Sequence, residues 1–287
     1  MTSDLVAAAA GAGGAVLAFN VITIEHAEGI AEGVETAGGA AILQISENTI
    51  AFHGRRIAPL LAACAQIAAQ SNAPLGIHLD HLQDMALVDQ AVASAAALGA
   101  TSLMIDAAHL DYDANVERTR AVTAQAHAAG LWVEAELGEI GGKAGAHAAG
   151  TRTDPDEAAA FVAATGVDAL AVAVGSSHAM TTREAQLDHD LIHRLAESVE
   201  VPLVLHGSSG VSDDQLRRAA EAGIRKLNVG TALNIAFTGG VRKVLADNEE
   251  SSDPRPYLAA GRAAVSDTVA DLCRVVAAAP AGKAAPR

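Results

Sequence analysis

Residues 202–231 read PLVLHGSSGVSDDQLRRAAEAGIRKLNVGT. Leu203–Leu205 is a short apolar run, and His206-Gly-Ser-Ser-Gly210 breaks it. Ser212–Gly223 has helical spacing. It opens on Ser-Asp-Asp-Gln, with Gln215 three residues after Ser212 in the pattern of a capping box, and it closes on a glycine. A second apolar run follows at Lys226–Asn228. Two short strands joined through a helix form a parallel pair, because a tight hairpin turn cannot join strands that run the same way.

The same unit recurs along the chain. Further strand candidates are Ala15–Phe19, Ala41–Gln44, Leu75–Leu79, Ser102–Ile105, Trp132–Glu136 and Ala169–Val174. Each is short, largely apolar and bounded by turn or cap residues, as strands buried on both faces are. The spacers Asp84–Gly99, Asn115–Gly130 and Asp156–Gly166 read as helices ending at glycines, and Asp154-Pro155 sets a capping side chain beside a helix-starting proline. Eight such units in 287 residues predict an α/β fold, a (β/α)8 TIM barrel, as one domain over 1–287. The Ala/Pro/Gly-rich segment 277–287 reads as a frayed tail. An open doubly wound sheet is the runner-up. It lacks its usual turn here, because Gly11-Ala-Gly-Gly14 precedes the first strand instead of following it.

Composition narrows the function. Aromatics are 2% and the formal net charge is −15, which argues against a base-stacking surface and against a phosphate backbone as partner. Hydrophobic residues make up 51% of the chain, ample for a core. No apolar run is long enough for a membrane span. No basic segment of a secretory leader opens the chain. Two cysteines, Cys64 and Cys273, make no disulfide framework. A reducing, cytoplasmic setting is expected.

In a barrel the chemistry sits at the C-terminal strand ends, and the polar residues gather there. Strand three ends in His78-Leu-Asp80-His81, and strand four runs into Asp106 with His109 close behind. Strand five holds Glu134 and Glu136 on one face by its period of two. Strands six, seven and eight end in Gly175-Ser-Ser-His178, His206-Gly-Ser-Ser-Gly210 and Asn228-Val-Gly-Thr231. Imidazole suits Zn²⁺, and a catalytic zinc keeps three protein ligands and one open position. His81, His178 and His206 form such a set, whereas His26, His53, His127, His147, His189 and His193 read as solvated. The glycine-rich ends of strands seven and eight read as an anion cradle, at the barrel's usual phosphate site. Asp80 and His81 are neighbours, so they face opposite ways on a regular strand and need a turn of the chain past its end to share the rim.

The ordered set Gly76-Ile-His-Leu-Asp-His81, Thr101-Ser-Leu-Met-Ile-Asp106, Glu134-Ala-Glu-Leu-Gly138 with Ile140-Gly-Gly142, Val167-Asp-Ala-Leu-Ala-Val172, Pro202-Leu-Val-Leu-His-Gly207 and Lys226-Leu-Asn-Val229 resembles the class II, zinc-dependent ketose-bisphosphate aldolases. The resemblance spans roughly residues 15 to 245. It implies Asp80 as catalytic acid/base and His81, His178 and His206 as zinc ligands. It implies Asp106 and Glu136 as acidic positions for a second or alternative metal location. Asn20, Gly207, Ser209, Asn228 and Thr231 would lie around the substrate and its phosphate, and Gly175 in a loop that meets phosphate and a monovalent cation. It further implies reversible cleavage of a phosphorylated ketose to dihydroxyacetone phosphate and an aldehyde, by a homodimer or homotetramer.

The chain departs from the family at the rim. The loop Lys143–Gly150 has no carboxylate, so either Glu139, His147 or another loop residue makes the second proton transfer, or the reaction differs. The family's lysine after the strand-six histidine is absent, and Arg183 is the next cation along. Asn20 is followed by Val-Ile-Thr rather than a second asparagine, and the glycine pair after the strand-seven histidine has become Gly207-Ser208. Two other readings stand beside the metal aldolase: a Schiff-base aldolase through Lys226, and a non-catalytic sugar-phosphate-binding or partner subunit on the same barrel.

Overall fold

The computed structural model describes residues 1–138, 152–177 and 180–277. Among them, eight parallel strands close into a barrel in sequence order. They are β1 (Val16–Asn20), β2 (Ala41–Ser46), β3 (Leu75–Leu82), β4 (Ser102–Ile105), β5 (Trp132–Glu136), β6 (Ala169–Ala171), β7 (Leu203–Leu205) and β8 (Ile224–Val229). Closure runs through β1 and β8, from Val16 opposite Lys226 to Phe19 opposite Val229. The fold expected from the alternating pattern is the fold observed. β6 is three residues shorter than its apolar run, because Ala173 leaves the ladder and exchanges bonds of 3.0 and 2.8 Å with Thr153.

Eleven helices are found among the described residues: α1 (Thr2–Gly11), α2 (Ile24–Ala37), α3 (Glu47–Phe52), α4 (Ile57–Gln70), α5 (Met85–Ser94), α6 (Tyr112–Ala128), α7 (Pro155–Thr165), α8 (His189–Ser198), α9 (Asp213–Ala222), α10 (Thr231–Asp247) and α11 (Pro254–Val276). The stop expected at Gly166 acts as read, whereas the helix expected over Asp84–Gly99 ends at Ser94 and a 3-10 turn, Ala96–Leu98, runs on to Gly99. Gly166 caps α7 in the left-handed region at φ 69°, and the Asp154 carboxylate accepts from the Asp156 and Glu157 amides at its start. The capping box at α9 does not form. Ser212 makes no side-chain cap, and Gln215 Oε1 instead accepts from the Leu187 amide at 3.2 Å and faces His189 Nε2 at 2.9 Å. A tertiary partner outcompetes the local one.

Side chains that point outward from the strands, such as Leu17, Phe19, Leu43, Leu79, Leu103 and Leu205, pack under the helices in one large core. The barrel's inside is different. Its lower half holds Val16, Ala18 and Ile42 against Val6 of α1, which lies across the N-terminal mouth. A second small cluster joins Met104, Ala169, Ala171, Ala173 and Val204. The remaining interior positions are polar, and they are the ones that reach the site.

Outside the barrel, α11 packs against both α2 and α10. Gly29 and Gly33 make the close approach of α2 possible. A Cβ on Gly33 would lie 2.5 Å from the Ser266 carbonyl oxygen, and one on Gly29 2.7 Å from that of Arg262. Gly239 in α10 has open space where its Cβ would be. Gly33→Ala is therefore expected to destabilise by about 1–3 kcal/mol through overpacking. Gly239→Ala should be neutral or stabilise by up to about 1 kcal/mol through helix propensity. Urea unfolding of both variants checks the contrast, and equal midpoints would contradict the packing.

Candidate functional site

β3 carries the first pair of site residues, and its backbone solves the problem their adjacency poses. Against β4 the register runs His78 to Ser102 and Leu79 to Leu103, then Leu82 to Ile105, so β3 has one residue more than its partner. His81 sits within this bulge at φ 51°, in the left-handed region that a non-glycine residue rarely occupies. The bulge lets Asp80 and His81 face the same mouth while both remain within the strand. The expected turn past the strand end is thus a bulge inside it.

His81 and His206 converge. His206 Nδ1 lies 2.9 Å from His81 Nε2, and Asp80 Oδ2 is 3.8 Å from the same His81 nitrogen. Asp80, His81 and His206 each offer a ligand atom, all within 4.8 Å of one another. His81, Asp106 and Glu136 form a second such group. Each imidazole also has a carboxylate on its other nitrogen. Asp106 Oδ2 is 3.1 Å from His81 Nδ1, and Glu134 Oε1 is 2.9 Å from His206 Nε2. Two imidazole nitrogens aimed at one point, each oriented from behind by a carboxylate, are a donor set that fits Zn²⁺ or a similar divalent ion. His178, Glu139 and His147 lie outside the described residues, as does the loop 143–150.

Asp106 is also held by Gln83, whose side-chain amide donates to Oδ2 at 2.8 Å. Glu136 is buried on β5, with its carbonyl oxygen accepting from Asn115 Nδ2 at 3.1 Å.

The other expected site residues line the mouth beside β1 and β6 to β8. Gly207 has φ 69°, and a Cβ there would lie 2.3 Å from the Ser177 carbonyl oxygen. Gly175, at φ 122°, is equally close to the Gln186 carbonyl oxygen and also abuts the Arg152 guanidinium. The Ser209 hydroxyl accepts from the Ala232 amide in the first turn of α10 at 3.1 Å. Thr231 begins that helix, so backbone amides and the helix dipole's positive end face this corner. Asn20 accepts from Gln44 Nε2 at 2.9 Å, and its own amide nitrogen packs beside Gly230. Asn228 accepts from Lys226 at 2.8 Å. Arg183 is committed elsewhere, donating to the Val211 carbonyl at 2.8 Å and pairing with Asp213.

Some of the histidines read as solvated are not. His26 is buried and stacks on Phe237 with ring centroids 4.6 Å apart. His53 Nε2 reaches the Ile22 carbonyl at 2.7 Å. Both are drawn in by contacts distant in sequence, which local pattern does not report. His193, at 68% exposure, and His127, at 42%, are exposed as expected.

The model of the family described as "Fructose-bisphosphate aldolase class-II" matches residues 1–281. Among solved structures, the YdjI aldolase from Escherichia coli K12 is similar at 29% identity and a TM-score of 0.83, with 97% of each chain covered. A provisionally assigned fructose-1,6-biphosphate aldolase from Coccidioides immitis shows 28% identity, a TM-score of 0.82 and 96% coverage of each chain. A fructose-bisphosphate aldolase from Campylobacter jejuni shares the fold at a TM-score of 0.78 and 19% identity, over 97% of this chain and 95% of that one.

Two buried imidazoles make stability depend on pH. Desolvation holds His78 well below the ordinary histidine value. The Lys226 ammonium adds to this, Glu134 opposes it, and His206 and His81 add further. Burial also lowers His26, with Glu25 opposing. Below the unfolded value of 6.5 the unfolded chain binds protons that the folded one refuses, so stability is retained above that pH and lost as pH falls through it. For metal-free protein, His26→Phe should flatten the decline between about pH 6.5 and 5, by at most about 1.4 kcal/mol per pH unit. Denaturant titrations in EDTA across that range check this, and an unchanged slope would refute it.

Proposed function

Because the chain belongs to the class II fructose-bisphosphate aldolase family, we propose that it is a metal-dependent aldolase. It would reversibly cleave a phosphorylated ketose, fructose or tagatose 1,6-bisphosphate or a related sugar phosphate, to dihydroxyacetone phosphate and an aldehyde. The observation that carries this reading is the convergence of His81 Nε2 and His206 Nδ1, 2.9 Å apart, beside the Asp80 carboxylate.

In this reading His81 and His206, with His178 as third ligand, hold one divalent ion. Glu136 and Asp106 stand where a second location for it would be. When bound, the ion supplies Lewis acidity that stabilises negative charge developing on oxygen. Asp80 takes the proton from the hydroxyl on carbon 4 in cleavage and returns it in condensation. As the bond between carbons 3 and 4 breaks, its electron pair stays with carbon 3 and delocalises into the carbonyl at carbon 2. A second acid/base then protonates carbon 3 to complete dihydroxyacetone phosphate, and Glu139 and His147 are its candidates. Gly207, Ser209 and Thr231, with the start of α10, bind the phosphate through amides and hydroxyls. Gly175 lets the β6 loop approach closely. Asn20 and Asn228 orient the substrate's hydroxyls.

The Schiff-base alternative is weakened by the surroundings of Lys226. Its Nζ sits 2.8 Å from Glu134, 2.8 Å from Asn228 and 3.1 Å from Gln44, and an ammonium ion-paired with a carboxylate and donating to two amide oxygens has no lone pair for a carbonyl. Cys64 and Cys273 are buried, and burial pushes both thiols up to about 12. They are thus poor thiolates, compatible with the cytoplasmic setting proposed here. Among the described residues no helix is long and apolar enough to cross a membrane. Assembly as a homodimer or homotetramer completes the proposal.

EDTA treatment should abolish aldol cleavage and Zn²⁺ or Co²⁺ should restore it; full activity after verified metal removal rejects the metal reading. Asp80→Ala is expected to lower turnover by about 10²–10⁴-fold while leaving metal content near one per chain. His206→Ala should lose the metal as well. Isotope exchange at carbon 3 of dihydroxyacetone phosphate separates an enzyme from a sugar-phosphate-binding subunit, which would bind without exchange.

A further inference from the structure

Five residues from β2, β5, β8 and the end of β7 meet in the barrel's interior just below the proposed metal. Glu134 on β5 and Lys226 on β8 are completely buried, and His206 after β7 is equally so. The two oxygens of Glu134 serve different partners: Oε2 lies 2.8 Å from Lys226 Nζ, and Oε1 lies 2.9 Å from His206 Nε2. Gln44 on β2 and Asn228 on β8 accept hydrogen bonds from the Lys226 ammonium. We infer that the Glu134–Lys226 pair is a positioning device for His206, fixing its tautomer and ring orientation so that Nδ1 presents its lone pair to the metal. This inference rests on the metal-dependent reading above and adds to it two residues which that reading does not use.

The argument is one of donors and acceptors. A neutral imidazole carries one proton and can place it on either nitrogen. With the proton on Nδ1, His206 would aim an N–H at His81 Nε2, closing the shared point, and would turn a bare Nε2 lone pair on a carboxylate 2.9 Å away. With the proton on Nε2, Glu134 accepts it and Nδ1 turns its lone pair toward the point it shares with His81. Asn228 Nδ2 also lies 3.0 Å from Nε2, and an amide N–H would favour the opposite tautomer. The carboxylate decides between them, because it can only accept, and a charge-assisted bond is roughly twice as strong as a neutral one. Lys226 is what holds the carboxylate there. A lone carboxylate on β5 would be a charge buried without compensation. The ammonium supplies the opposite charge, and its remaining donors anchor it to β2 and β8.

The test begins with wild-type protein. In histidine-labelled, Zn²⁺-loaded protein, ring ¹⁵N and ¹H spectra should assign metal to His206 Nδ1 and a strongly deshielded, slowly exchanging proton to Nε2. Metal on Nε2 overturns the inference and needs no variant. Chelator competition then measures Zn²⁺ affinity, and Co²⁺ absorption reports ligand geometry. Glu134→Gln/Lys226→Met removes both charges together, leaving neither buried alone. We expect it to fold by far-UV circular dichroism, to bind Zn²⁺ about 10–100-fold more weakly, and to shift the Co²⁺ bands. A folded double variant with wild-type affinity and an unchanged Co²⁺ spectrum overturns the inference while leaving the metal reading intact. Wild-type protein that binds neither ion rejects the metal reading, and this inference with it.

Discussion

Closing eight parallel strands sends every second side chain into a space with no water to solvate it, and in this barrel those side chains include charges. Glu134, Lys226, His78 and His206 are all completely buried. Their burial is offset by opposite charge and by the hydrogen bonds they find around them, although His78 Nε2 has no hydrogen-bond partner among the described residues. Lys226 donates to Asn228 and Gln44 and forms an ion pair with Glu134 at 2.8 Å, and the other Glu134 oxygen faces His206. His78 Nδ1 meets Ser102 Oγ at 2.8 Å, and the Ser102 hydroxyl donates to Thr2 Oγ1 of α1 at 2.8 Å. A polar chain thus runs from the plugged N-terminal mouth to His78, whose Nε2 stops 3.8 Å short of Glu134 Oε2. Removing one member strands the next, since an unpaired buried charge costs far more than a pair contributes.

The polar interior determines what the mouth can do. A metal ligand on a flexible loop would leave its ring free to turn. Here each imidazole that faces the common point is backed by a carboxylate set on or just past another strand, Asp106 after β4 and Glu134 on β5. The bulge in β3 supplies the remaining requirement. One extra residue and a left-handed His81 bring two adjacent side chains to the same side. Such a conformation carries strain, and surrounding bonds have to hold it. The contacts of His81 with Asp106 and His206 are of that kind.

Much of the fold was legible from pattern because a parallel barrel has a repetitive grammar. Apolar runs three to eight residues long cannot be exposed, and glycines at 99 and 166 stop helices for the same steric reason wherever they stand. The site was legible in part. Asp80, His81, Asp106, Glu136 and His206 were expected at one rim by their places at strand ends, and the strand ends do meet. The role of Gln215, the burial of His26 and the commitment of Arg183 to Asp213 were not legible. Each depends on a residue more than 25 positions away, which no local window contains.

The amino-acid sequence by itself determined the alternation, the closed barrel it implies and the residue types offered at each strand end, because these follow from periodicity and capping, which act between near neighbours. Only the tertiary structure decided which nitrogen of each histidine looks inward, which carboxylate stands behind it, and that Lys226 is spent on Glu134 rather than left for chemistry. Those choices come from barrel closure, which brings β2, β5, β7 and β8 within bonding distance and so lets buried polar groups find partners on other strands.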